Sequence, residues 1–175
     1  GQAGDVAGAA AAYAELLPDM ERVLGPDNPD TLATRSNLAQ WRGQAGDVAG
    51  AAAAYAELLP DMERVLGPDN PDTLTLRGHL AVSRGEAGDP TSAATAITEL
   101  LSDMERVLGP DNPHTLTLRG HLAVSRGEAG DPTSAATATT ELLSDMERVL
   151  GTDSPLTLIT RGRLAQWLGE GGDPA

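Results

Sequence analysis

Gly1-Gln-Ala-Gly-Asp5 returns as Gly43-Gln-Ala-Gly-Asp47, then as Gly85-Glu-Ala-Gly-Asp89 and Gly127-Glu-Ala-Gly-Asp131, and begins again at Gly169-Glu-Gly-Gly-Asp173. Every interval is 42 residues. A second segment, Asp-Met-Glu-Arg-Val-Leu-Gly, keeps the same step from Asp19, Asp61, Asp103 and Asp145. Self-similarity at a fixed period of this length marks a repeat protein, in which each unit buries its apolar face only against its neighbours. Four units, 1–42, 43–84, 85–126 and 127–168, thus form a single repeat domain over 1–175, with the start of a fifth unit at 169–175.

Two helices fit in each unit. Asp89-Pro90 and Asp131-Pro132 combine a capping side chain with proline at the first helical position, where its missing N–H is no loss. Asp5 and Asp47 cap the matching helices of the first two units. These long helices stop at Gly25, Gly67, Gly109 and Gly151. Asn28-Pro29, Asn70-Pro71, Asn112-Pro113 and Ser154-Pro155 open a shorter second helix, which turns almost at once into the next long one. The spacing predicts helices near 5–24, 29–45, 47–66, 71–87, 89–108, 113–129, 131–150 and 155–168. Along the first of them Val6, Ala9, Ala10, Tyr13, Leu16, Leu17, Met20, Val23 and Leu24 form one apolar stripe. Pro18 and Pro60 interrupt the stripe, and an interior proline costs about 3 kcal/mol. At the same place the later units have Ser102 and Ser144 with Glu105 and Glu147 three residues on, a capping-box pattern. A kink or local break is expected there. The fold class is all-α, an α-solenoid of antiparallel helix hairpins.

Composition narrows the function. The net charge is −14, spread evenly, and all twelve cations are arginine. Such a surface repels phosphate backbones, so nucleic acid is not an expected partner; it would draw basic partners inward. Cysteine is absent, which excludes disulfides and thiolate chemistry. No apolar run approaches the roughly 18 to 20 residues of a membrane span, and residues 1–17 do not read as a secretory signal. The expected setting is cytoplasmic, with no membrane partner. No phosphate loop, HExxH motif or nucleophile elbow occurs. The acids recur by duplication in every unit, whereas an active site breaks symmetry. The chain is therefore expected not to be an enzyme and to carry no cofactor and no metal.

The stretch Thr31-Leu-Ala-Thr-Arg-Ser-Asn-Leu-Ala39, followed by Gly46-Asp47, Ala51, Tyr55 and Arg64-Val-Leu-Gly-Pro-Asp-Asn-Pro-Asp72, resembles a tetratricopeptide repeat of the 42-residue kind found in kinesin light chains and actinobacterial regulators. The resemblance spans the whole chain. It departs where the long-helix aromatic, Tyr13 and Tyr55, becomes Ile97 and Thr139, and where Arg35, Arg77, Arg119 and Arg161 occupy a usually apolar place. The resemblance implies a tetratricopeptide-like right-handed superhelix whose short helices line a concave groove for extended peptides or partner helices. Carried onto this chain, the groove column reads Asn37, His79, His121 and Arg163, flanked by Ser36, Gln40, Val82, Val124 and Gln166. The implied function is a protein- or peptide-binding scaffold, part of a larger regulator.

His79 and His121 are too few for zinc, which takes three or four ligands, and fit polar groove or inter-helix contacts. His114 should be exposed. The arginines at 35, 77, 119 and 161, with Arg42, Arg84 and Arg126 seven residues on, face the long helix. They form either a ladder with Glu15, Glu57, Glu99 and Glu141 or a ligand-binding row. An alternative function is head-to-tail self-assembly into oligomers or filaments. Val6, Tyr13 and Leu17 at one end, and Leu158, Leu164 and Trp167 at the other, would be uncovered apolar surface.

Overall fold

A computed structural model describes residues 2–171 of the chain, with side chains from Val6 onward. The described residues form eight α-helices: α1 Gln2–Leu24, α2 Pro29–Gln44, α3 Val48–Val65, α4 Pro71–Glu86, α5 Pro90–Val107, α6 Pro113–Glu128, α7 Pro132–Leu150 and α8 Pro155–Gly171. No strand occurs among them. The sequence-expected ends agree within three residues. The two outermost ends run longer: α1 is already helical at Gln2, ahead of Asp5, and α8 continues through Gly169 to Gly171 where a fifth unit was expected to start. Residues 172–175 of that unit, and the side chain of Asp5, lie outside the described residues.

Capping works as the sequence dictates. The Asn28, Asn70 and Asn112 side chains accept from the N–H groups of Asp30, Asp72 and His114 at 2.8–2.9 Å, while Asp47 and Asp131 accept from Gly50 and Ser134 at 3.0 Å. Each cap satisfies an N–H that the first helical turn leaves without a partner. At the other end of α3, Gly67 takes φ +97°, a left-handed value that only glycine adopts without strain.

The expected break at Pro18 and Pro60 is absent. Both prolines lie inside unbroken helices, and Ser102 and Ser144 lie inside α5 and α7 in the same way. All four positions are on the exposed side of their helix. Water can therefore serve the carbonyls of Ala14 and Ala56 that lose their N–H partners, and the packed face carries the helix through. The Ser–Glu pattern caps nothing, because no helix starts there.

The chain divides into two compact units, Gly1–Gly88 and Asp89–Ala175. Within the first, α1 packs on α2, α2 on α3 and α3 on α4, and α2 also touches α4. Its core holds Leu32, Ala39, Ala51, Tyr55, Leu58, Met62, Leu76 and Leu80. Burying one such leucine contributes about 1.5–3 kcal/mol. Alanine sets the spacing: a Cβ placed on Gly43 of α2 would lie 3.2 Å from that of Ala51 on α3. The second unit repeats the order from α5 to α8. Leu116, Leu142 and Met146 form one cluster there, and Ala135, Ala136 and Trp167 another.

Candidate functional site: a cleft between α2 and α4

Two short helices rest side by side on α3 in the first unit. The space between them is an open cleft of roughly 530 Å³, lined by Pro29, Ala33, Ser36 and Asn37 of α2, Asp72, Thr75 and His79 of α4, and Met62 and Leu66 at the end of α3. These positions follow from helical spacing: Ala33 and Asn37 are one turn apart, as are Thr75 and His79, so each pair faces the same way. The His79 ring lies 5.5 Å from that of Tyr55, tilted by 44°. Tyr55 is buried beneath it, and burial, aided by the Glu86 carboxylate, pushes its phenol up to about 12. The cleft therefore combines an apolar floor with an amide, two hydroxyls, an imidazole and a carboxylate at its rim. That mixture suits a peptide, whose backbone needs donors and acceptors and whose side chains need apolar contact. Among the described residues no three His, Asp, Glu or Cys side chains come together as a metal site.

Residues 31–72, one full period that includes both α3 and the start of α4, match the tetratricopeptide repeat family. The same period recurs through the chain with the same pair of helices each time. The chain has the fold of a tetratricopeptide-like α-solenoid. Its fold is that of kinesin-light-chain-like repeat proteins. A point-substituted form of the nearly identical TPR-like repeats assigned to a Podosopora anserina kinesin light chain superposes with a TM-score of 0.77 at 19% identity, over 98% of this chain and 81% of that one. The form without that substitution gives 0.75 at 19% identity, with the same coverage. BtubC (BKLC) from P. vanneervenii gives 0.78 at 21% identity, over 97% of this chain and 68% of that one. No curated protein matches the sequence. Tetratricopeptide repeats are in general protein-interaction scaffolds and typically not enzymes. No helix of the described residues is long and apolar enough to cross a membrane.

In the array, Ser36, Asn37 and His79 share the one cleft. Gln40, exposed, and Val82, half-buried, do not line it. His121 is half-buried and His114 exposed. Val124, half-buried, packs against Ala135, Ala136 and Trp167. Arg163 and Gln166 are exposed on α8, and the Gln166 amide donates to the Glu170 carboxylate at 3.0 Å. Among the self-association residues, Val6, Tyr13 and Leu17 are half-buried, Leu158 is exposed, and Leu164 is half-buried beside Trp167. Trp167 itself is not bare surface but 4% exposed. Its ring fits over Gly127, where an added Cβ would come within 2.5 Å of it, and over the small side chains of Ala135 and Ala136. The sequence reading missed Pro29, Ala33, Met62, Leu66, Asp72 and Thr75. The α2 and α4 members were findable, since Ala33 and Thr75 precede Asn37 and His79 by one turn.

The arginine ladder exists with different rungs. Arg35 binds Asp61 at 2.8 Å and Arg119 binds Asp145 at 2.7 Å, where Glu57 and Glu141 were expected. Arg161 binds Glu147 at 2.8 Å. Glu57 and Asp61 are one turn apart on one helix face, so the face was right and the height wrong. A second arginine locks two of the interhelical loops: Arg64 holds Asp27 through two bonds of 2.9 and 2.6 Å, and Arg148 holds Asp111 at 2.8 and 2.6 Å. These guanidinium bonds hold the carboxyls of Asp27, Asp61, Asp111 and Asp145 below their ordinary range. At such exposure each pair adds little to stability; its value is in fixing helix register.

Proposed function

We propose that the chain is a cytoplasmic protein- or peptide-binding scaffold, part of a larger regulator, that holds an extended peptide segment in the cleft between α2 and α4. The observation that carries this reading is the convergence of Ser36, Asn37 and His79 over an apolar floor of Met62 and Leu66. The scaffold does no chemistry of its own and needs no cofactor. Selecting a displayed random-peptide library on the whole chain tests it, with the affinity of the winners measured by fluorescence anisotropy. Asn37→Ala and His79→Ala should each weaken the selected peptides about tenfold, the scale of a polar interface contact. Failure to enrich any peptide, or winners indifferent to both substitutions, would contradict the proposal.

A second reading, head-to-tail self-assembly, is favoured by one observation. Among the described residues the large exposed hydrophobics all lie on two helices, Leu16, Val23 and Leu24 on α1 and Leu156, Leu158, Ile159 and Leu168 on α8. Sedimentation velocity over a concentration series separates the two readings. Association that Leu158→Glu or Val23→Glu abolishes supports assembly, and a monomer at high micromolar concentration removes it. Trp167→Glu is the wrong variant, because that ring is part of the core.

A further inference from the structure

α8 is built on the pattern of α2. Thr160, Gln166 and Trp167 repeat Thr34, Gln40 and Trp41, where α4 and α6 carry leucine, valine and serine. Both helices also sit alike on the long helix before them: Thr34 donates to the Met20 sulfur at 3.0 Å and Thr160 to the Met146 sulfur at 3.2 Å. They differ in what lies on the other side. α2 is packed by α1 and by α3, whereas α8 packs on α7 and touches α6. α3 in turn has the sequence of α1, since residues 43–66 repeat 1–24 without a change. α1 packs on α2, which takes the place that α4 takes on α3.

The uncovered faces of α8 and α1 match the covered faces of α2 and α3. The α2–α3 contact gathers Leu32 and Ala39 with Ala51, Tyr55 and Leu58 in one core cluster, and Leu116 of α6 meets Leu142 of α7 in the same way. On α8 the same places hold Leu158, 49% exposed, and Ala165, also exposed; on α1 they hold Ala9 and Tyr13, half-buried, and Leu16, 47% exposed. The glycine of closest approach follows suit. A Cβ on Gly43 would lie 3.2 Å from that of Ala51, whereas one on Gly169 would meet nothing within 4 Å. Charges correspond as well. Arg64 and Arg148 of the long helices bind Asp27 and Asp111, each just ahead of a short helix, and the residues at those places on the uncovered faces are Arg22 and Asp153. Arg22 already holds Asp19, as Arg64 holds Asp61.

We infer that α8 of one copy docks on α1 of a second copy in the register of α2 on α3, with Leu158 and Ala165 against Ala9, Tyr13 and Leu16, and with Asp153 on Arg22. This rests on the self-assembly reading and supplies its partner face and its register. The apolar pairs drive the contact, as they do between successive helices within the chain. Because the two faces are different surfaces, each added copy leaves a new one bare and the contact propagates. The net charge of −14 on each copy opposes association. At about 0.15 M salt, charges more than ~8 Å apart are largely screened, so association should strengthen as salt is raised to that level.

The chain has no lysine, so Arg22→Lys introduces a single side-chain amine, which a zero-length carbodiimide couples to a carboxylate in contact with it. Sedimentation velocity on the whole chain at that salt should show association, and coupling of Arg22→Lys should give a covalent dimer. Mass spectrometry should map its bond from position 22 of one copy to Asp153 of the other, and adding Asp153→Asn should remove it. Leu16→Glu and Leu158→Glu should each weaken association about tenfold or more, since each puts an unpaired charge in the centre of the contact, with helicity unchanged by circular dichroism. Asn37→Ala, in the cleft between α2 and α4, should leave association unaltered. Association whose bond maps to a different carboxylate of the second copy, or that survives both glutamate variants, would overturn this register while self-assembly stands. A chain that stays monomeric at high micromolar concentration would overturn both.

Discussion

Residues 1–32 and 43–74 are the same sequence, letter for letter, yet α1 and α3 live in different surroundings. α3 is packed on one side by α2 and on the other by α4, whereas α1 packs on α2. Leu16 is 47% exposed and its duplicate Leu58 is 1% exposed; Tyr13 is half-buried and Tyr55 is buried. Both helices nonetheless end in the same way, at Gly25 and Gly67 with φ of +92° and +97°. Helix formation and helix termination are local properties, carried by caps, proline and glycine. Burial is a property of neighbours. In a repeat array the same side chain is core in one copy and surface in another, and its energetic weight changes accordingly.

The comparison is most easily broken by paired truncations. Leu58→Ala should destabilise by about 2–5 kcal/mol, the range for an aliphatic side chain lost from a packed core. Leu16→Ala should cost about 1 kcal/mol or less, since much of that side chain already meets water. Equal losses in denaturant melts would show that α1 is as enclosed as α3. Next in size is the effect of crowding: Ala51→Leu should cost about 1–3 kcal/mol, because Ala51 lies against Gly43 with no space for three more carbons. Ala9→Leu, at the half-buried duplicate position, should be milder.

A local term should not distinguish the copies. Asn28→Ala and Asn70→Ala should each cost about 1 kcal/mol, because both side chains cap through the same bond at 2.8–2.9 Å. A large gap between these two variants would mean that capping here depends on tertiary surroundings.

The smallest effect is electrostatic and sharpens the contrast in another way. Arg64 of α3 reaches across to Asp27 and also holds Asp61, while its duplicate Arg22 holds Asp19 within its own helix. The carboxyls of Asp27 and Asp61 are lowered from 3.8, chiefly by hydrogen bonds from Arg64 and Arg35 respectively. The unfolded chain therefore binds protons at a higher pH than the folded one. The stabilisation is complete above about pH 4 and is lost as pH falls through the lowered folded values. Stability should thus fall with acidification below about pH 4, and Asp27→Asn should make that fall shallower. A slope unaltered by Asp27→Asn would show that the pair does not matter to folding.

Much of this fold was legible because its determinants are short-range. The 42-residue step, the Asn-Pro and Asp-Pro starts and the terminal glycines place eight helices to within three residues. What sequence could not supply was how high one helix sits against the next. Arg35 meets Asp61 and not Glu57, one turn away on the same helix. Pro18 and Pro60 were expected to kink or break their helices; no break occurs, and that tolerance depends on facing water, which periodicity alone did not weigh. Trp167 looked like terminal surface until Gly127, Ala135 and Ala136 were seen to leave it a seat. For the candidate cleft, the groove column on α2 and α4 was readable from the repeat register. Its floor was not, since Met62 and Leu66 come from a different helix and only packing brings them beneath Asn37 and His79.

The central claim, that the cleft between α2 and α4 holds a peptide, is tested most directly by hydrogen–deuterium exchange with and without a library-selected peptide. Amides of residues 29–40 and 71–82 should gain protection when the peptide is bound, and those of the exposed Pro60 side of α3 should not. Protection confined to α3 or α1, with the two short helices unchanged, would contradict the account.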